Sequence, residues 1–298
     1  MRVRVLGSAA GGGVPQWNCG CDNCALARRG DARVRPRTQD SLLVTGEIGN
    51  LLVNASPDVL RQIEATPALS PRAPRDTPIS AIVLTNGDLD HVLGLFSLRE
   101  SQPLVVYATD RVWRGLVERN AIARTLARFD GHLVHRRIAI GDRREIPEAG
   151  LAIVAFAAPG KPPVHLPDAP HAEDNVGLRI EAAGANERVV TIATAQKDVD
   201  AVRASLEGSD VIFLDGTFFS SDELASQRLG AARAEDMAHQ PIGGEHGSIA
   251  RLGGLRANRK ILTHINNSNP ILREDSAERA WALARGWEVA FDGMEIEA

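Results

Sequence analysis

Three runs of strand-forming residues each end on a side chain that a core would not keep. Ile79-Ser80-Ala81-Ile82-Val83-Leu84 leads into Thr85-Asn86-Gly87-Asp88-Leu89-Asp90-His91. Val211-Ile212-Phe213-Leu214 ends at Asp215, and Lys260-Ile261-Leu262-Thr263 ends at His264. Short apolar runs of this kind predict buried strands. The ends of buried strands are rigid, and the loops leaving them can converge on one site. A single acid at a strand end is usually a cap or a turn residue. Three such places in one chain, two of them supplying histidine, point to a shared site.

The rest of the chain alternates strand and helix signals without a regular repeat. Strands are expected at Val3–Val5, Ser41–Val44, Asn50–Val53, Val105–Tyr107, Leu133–Ile140, Leu151–Phe156, Val176–Glu181 and Arg188–Ala193. The Thr45–Gly49 and Ala183–Asn186 segments read as hairpin turns. Helices are expected at Asp58–Ala65, His91–Leu98, from a cap at Asp110 to about Arg119, at Asp198–Leu206, and at Glu274–Arg285, stopped by Gly286. Ser8–Gly13 (SAAGGG) lacks the spacing of a phosphate or dinucleotide loop, so a tight connection is expected there. The pattern predicts an α+β fold over residues 1–298 as a single domain, with two sheets and helices packed outside them.

Of the 298 residues 44% are apolar, enough for a large core. The net charge is −4, with acids and bases mixed along the chain, which argues against a nucleic-acid partner. No run approaches the ~18 apolar residues of a membrane span. The start, Met1 to Gly7, alternates like a strand and not like a secretion signal, so the expected location is the cytoplasm.

Asp88, Asp90, His91, Asp215 and His264 together offer two imidazoles and several carboxylates. Zinc sites favour histidine and thiolate, and magnesium sites favour oxygen. Two histidines with a carboxylate and open positions is the pattern of mononuclear non-haem iron(II), although a zinc hydrolase could use the same ligand types. A second cluster, Cys19-Gly20-Cys21-Asp22-Asn23-Cys24, holds all three cysteines. So short a loop closes a disulfide poorly, and the spacing instead suggests structural zinc. Such zinc takes four ligands, and His239 or His246 would complete the set. Capping before Pro270 is the expected role of Asn266–Asn269, with substrate contact as the alternative. His132, His135 and His246 are expected to be solvated or core histidines.

The TNGDLDH stretch resembles the signature of the metallo-β-lactamase superfamily, His-x-His-x-Asp-His. A closer resemblance is to the pyrroloquinoline quinone (PQQ) biosynthesis protein B family. It rests on VLGSAAGGGVPQWNCGCDNC, SLLVTGEIGNLLVNASPDV, TNGDLDHVLGL, DNVGLRI, FLDGTFF, HQPIGGEHGSIARL and THINNSNPIL, which span nearly the whole chain. The resemblance implies an αββα sandwich of two mixed sheets. The first two signature histidines are replaced by Asn86 and Asp88, and His165 and His171 lack the context of a third. It therefore implies loss of the first metal site and survival of the second, on Asp90, His91 and His264, with Asp215 as a further or bridging ligand. Asp88 and Asn86 would orient a ligand or accept a proton. The implied activity is iron(II)- and O2-dependent hydroxylation of the tyrosine ring in a Glu-Tyr-derived precursor, with room left for a homodimer. A carrier moving PQQ or its precursor towards the periplasm and a zinc-dependent hydrolase are the alternatives. Relatives with the cysteine loop hold zinc with a distal histidine, and His239 is the implied match.

Overall fold

The computed structural model describes residues 1–100, 102–128, 131–163, 169–182 and 188–298. Within them the strands are β1 (Arg2–Gly7), β2 (Ser41–Thr45), β3 (Asn50–Val53), β4 (Ile79–Val83), β5 (Leu104–Ala108), β6 (Leu133–Arg137) and β7 (Arg143–Ile146). They continue with β8 (Leu151–Ala157), β9 (Val176–Ala182), β10 (Val189–Ala193), β11 (Val211–Asp215), β12 (Arg259–Thr263), β13 (Glu288–Val289) and β14 (Glu295–Glu297). The described strands form two seven-stranded sheets, ordered β14-β1-β2-β3-β4-β5-β6 and β13-β12-β11-β10-β9-β8-β7. Each is mixed. Its first half is antiparallel, and its second half, from β3 to β6 or from β10 to β13, is parallel.

Period-two alternation explains why these strands are apolar on both faces. Leu42, Val44, Val211 and Phe213 point between the sheets, where they join Val3, Leu51, Val83, Ile153 and Ile180. Leu43, Leu52 and Ile82 point out of the first sheet onto Val59, Val92, Leu95, Val112 and Leu116 of the helical segments. Ile212, Leu214 and Leu262 do the same on the other side, against Val199, Val202, Leu206, Ile249 and Ala282. The result is the expected αββα sandwich. No described helix is long and apolar enough to cross a membrane.

Most expected elements occur with shifted ends. The helix expected from His91 begins earlier, at Leu89, and continues as a tighter turn over Leu93–Ser97. Thr109, not Asp110, caps the helix Asp110–Trp113, its hydroxyl accepting from Val112 N at 3.2 Å. The last long helix is Ala277–Leu283, because the Ser276 hydroxyl accepts from Arg279 N and fixes its start. Gly286, at φ +74°, provides the stop. His165 and the Ala183–Asn186 turn lie outside the described residues.

Candidate metal centre

The parallel halves of both sheets end on the same edge of the sandwich, where their loops meet. Val176 N donates to Thr85 O, Ala10 N donates to Ile265 O, and Asn86 pairs with Asn175. His91 hangs from the short helix Leu89–Val92, Asp215 is the last residue of β11, and His264 follows β12 in a left-handed conformation, φ +55°. That unusual backbone for a non-glycine residue turns the ring back into the site.

Asp90, His91 and His264 each bring one ligand atom to within 4.8 Å of the others, and so do Asp215, His239 and His264. The two groups share His264. Asp90 Oδ2 lies 3.2 Å from His264 Nε2 and 4.0 Å from His91 Nε2. His239 Nδ1 lies 2.7 Å from Asp215 Oδ2, and its ring stacks on His264 with centroids 5.4 Å apart. This corrects the assignment of His239 to the cysteines: the ring is held by Asp215 and His264 in the strand-end cluster instead. Asp215 therefore sits in the second group and not beside Asp90 and His91.

Asp88 is half-buried and belongs to neither group, its N–H donating to Asn86 Oδ1 at 3.0 Å. Asn86 Nδ2 donates to Asn175 Oδ1 at 3.0 Å, clamping two loops where the superfamily signature has a histidine. His171 is exposed, and its Nδ1 accepts from Glu173 N. His135 stacks on Trp113. Of the asparagines before Pro270, Asn269 does cap, its Oδ1 accepting from Ile271 N, whereas Asn267 turns to the cysteines, its Nδ2 lying 3.0 Å from Cys19 Sγ, 3.4 Å from Cys24 Sγ and 3.6 Å from Cys21 Sγ.

Asp40 escaped the sequence reading. It precedes β2 in Gln39-Asp40-Ser41, with no apolar run before it to mark a strand end. It is fully buried, its Oδ1 accepts from the Thr263 hydroxyl at 3.1 Å, and its Oδ2 lies 4.0 Å from His91 Nε2. Burial pushes its carboxyl up to about 6. Burial acts on Asp90 in the same direction, but the adjacent His91 and His264 outweigh it and hold that carboxyl well below the usual range. For His264, burial opposes charge, yet the Asp90 hydrogen bond and the charges of Asp90, Asp40 and Asp215 raise the ring to about 9. His91 moves down, chiefly through burial.

The donor set fits a divalent cation. His91 Nε2 is buried without a hydrogen-bond partner, aimed between Asp40 and Asp90. An orphaned ring nitrogen among carboxylates is costly unless a cation takes its lone pair. Thr217 orients the ring that both groups share. Its hydroxyl donates to Asp215 Oδ1 at 2.5 Å and accepts from His264 Nδ1 at 2.9 Å. That places the His264 proton on Nδ1 and leaves Nε2 as the ligand atom. Thr217→Val, which keeps the shape but removes this relay, is expected to weaken metal binding about 10- to 100-fold in a chelator competition, with Thr217→Ser restoring it. Unchanged affinity in the valine protein would remove the relay from the account.

The three cysteine sulfurs form a separate group, also within 4.8 Å of one another. Cys24 Sγ accepts from Gln16 N at 3.3 Å, and Cys19 Sγ accepts from Cys21 N at 3.4 Å. The Cys24 thiol is drawn down to about 7, mainly by its hydrogen bond with Cys21. No described histidine joins this group.

Residues 49–265 match the family described as Beta-lactamase superfamily domain. The chain is 45% identical to coenzyme PQQ synthesis protein B of Methylobacterium sp. (strain 4-46), covering 99% of both chains. It is also 45% identical to the protein of that name from Cupriavidus necator, over 99% of this chain and 98% of the relative. The crystal structure of Zn(2+)-bound PqqB from Methylobacterium extorquens superposes with a TM-score of 0.94 at 42% identity, covering all of both chains. A diphosphatase of the PhnP family, at 20% identity and a TM-score of 0.68, shares the fold.

Proposed function

The chain belongs to the coenzyme PQQ synthesis protein B family, within the β-lactamase superfamily, and from that membership we propose that its strand-end site is an iron(II)- and O2-dependent hydroxylase. The substrate is the tyrosine ring of a Glu-Tyr-derived precursor of PQQ. The observation that carries this reading is the group Asp90, His91 and His264, two imidazoles and one carboxylate with ligand atoms within 4.8 Å. That donor set leaves coordination positions open, as oxygen-activating iron requires.

Asp90, His91 and His264 would hold the iron, which supplies oxygen activation and a position for substrate. The protein's own groups do the rest. Thr217 fixes the tautomer of His264, and Asp215 holds His239 beside it. Asp40 is buried against the same ring, its Oδ2 4.0 Å from His91 Nε2 and its Oδ1 accepting from the Thr263 hydroxyl. The buried surroundings of His91, Asp215 and His264 keep bulk water away from the site. Cys19, Cys21 and Cys24, none of them in a disulfide, would hold structural zinc.

A second reading, a zinc-dependent hydrolase, is favoured by one observation: His239 joins Asp215 and His264 in a second three-ligand group next to the first, richer in histidine than a lone strand end and of the donor types that zinc takes. Oxygen uptake separates the two. Protein loaded anaerobically with iron(II), given a Glu-Tyr dipeptide and a reductant, is expected to consume oxygen in proportion to iron. The product is expected to be a catechol heavier by one oxygen atom. Absence of uptake with iron, together with peptide or ester cleavage by the zinc-loaded protein, would replace the first reading with the second. Turnover with neither metal would favour a carrier.

A further inference from the structure

Of the 34 lysines and arginines in the chain only three are lysines, Lys161, Lys197 and Lys260. Lys260 lies over the Trp287 ring. The other two, far apart in sequence, line one cavity of about 310 Å³. It is enclosed by the end of β8 and the loop after it, the stretch that leads into β9, and the turn after β10. Alanines and prolines make up most of the remaining wall.

Among the described residues neither ammonium has an ion-pair partner. The acid in the lining, Asp174, is already engaged: Arg111 Nε donates to its Oδ1 at 2.8 Å and His171 N to its Oδ2 at 2.7 Å. Asp198, next to Lys197, caps its own helix by accepting from Asp200 N. His171 also lines the cavity, and its Nδ1 accepts from Glu173 N, which leaves Nε2–H as a further donor. The cavity is therefore positive, with low-dielectric walls that focus its field.

The cavity adjoins the strand-end site at two points. Asn175, in its wall, donates through Nδ2 to Ala158 O at 2.7 Å and accepts at Oδ1 from Asn86 Nδ2. Lys197 N donates to Pro159 O at 2.8 Å, while Gln196, the residue before it, donates its N–H to Asp215 Oδ2 at 3.4 Å.

We propose that this cavity is the carboxylate subsite of the strand-end centre, with Lys161 and Lys197 holding the carboxylates of the substrate while its ring faces the metal. The proposal rests on the Glu-Tyr reading of the substrate and adds the residues that position it. Two like charges in one small cavity repel, and an anion between them converts the repulsion to attraction. Ammonium groups suit the task, being compact charges on flexible stems with three donors each. The other basic cavity, lined by Arg137, Arg143 and Arg144, is a weaker candidate, because Arg137 is paired with Asp110 and Arg143 with Glu145 and Glu181.

The test is calorimetric titration of full-length, zinc-loaded protein without oxygen, so that binding is read apart from turnover. The probes are Glu-Tyr and Gln-Tyr amide, which has the same size and amino group but no carboxylate. Wild type is expected to bind Glu-Tyr at least about tenfold more tightly than the amide. A protein carrying both Lys161→Met and Lys197→Met is expected to lose that preference and to keep its affinity for the amide. One carrying Lys161→Arg and Lys197→Arg is expected to retain most of it. Both lysines are exposed, so these changes leave the core intact. A wild-type protein that does not distinguish the probes, or a double methionine protein that still does, would overturn the subsite. Binding of neither probe would remove it together with the Glu-Tyr reading. A lysine-dependent preference in a protein that consumes no oxygen with iron would sustain the subsite and remove the hydroxylase.

Discussion

His264→Ala is expected to cost the strand-end site its metal and its turnover together, with affinity falling at least about 100-fold. The scale follows from a comparison: losing a group that merely orients a ligand costs about 10- to 100-fold, and a shared ligand must cost at least as much. His264 belongs to both three-residue groups, so its removal leaves Asp90 with His91 and Asp215 with His239 as separate pairs. It also removes the ring that Thr217 orients and leaves Asp90 without its 3.2 Å partner. Asp88→Ala is the matched control, since Asp88 belongs to neither group; it is expected to leave metal affinity within about threefold, the scale of a surface change. Metal titration by calorimetry would check both. Equal losses in the two proteins would mean that the shared-ligand geometry is wrong.

Gly94→Ala is expected to be among the more damaging methyl additions at the described glycines. A Cβ there would stand 2.0 Å from Ser56 O and 2.8 Å from Ala55 O. Both are backbone atoms, so no side chain can swing aside. The contact is also functional. Gly94 N donates to Ala55 O at 2.9 Å, and Ala55 N donates to His91 O at 2.7 Å, so the same crossing holds the helix that presents His91. Overpacking of this kind costs about 3 kcal/mol, read as a lower denaturant midpoint. Metal affinity should fall with it, because the helix can relieve the overlap only by shifting His91. A variant with wild-type stability and affinity would show that the crossing is looser than these distances.

The strand-end residues were legible because each follows an apolar run that can only be a buried strand. Asp90, His91, Asp215 and His264 were visible for that reason. Asp40 was not, since the residues before it, Arg37-Thr38-Gln39, are polar and give no strand signal; only the pairing of β2 with β1 and β3 brings it to His91. His239 was misplaced because its local sequence, Ala238-His239-Gln240-Pro241, contains no strand or helix period, and a histidine in such a stretch can reach either cluster. Asn267 read as a cap because Asn269 beside it is one; spacing alone cannot tell which of neighbouring asparagines faces inward.

The sequence by itself determined the two-sheet αββα class and the two chemical neighbourhoods. Alternation and strand-ending polar residues are properties of a few consecutive positions, and burial acts on them locally. Tertiary structure alone decided the membership of each neighbourhood: that His264 serves two groups, that Asp40 stands against His91, and that Asn267 and not His239 meets the sulfurs. These are contacts between residues dozens to hundreds of positions apart, set by the parallel strand order and by where each loop crosses the sandwich edge. No spacing along the chain encodes a distance of that kind.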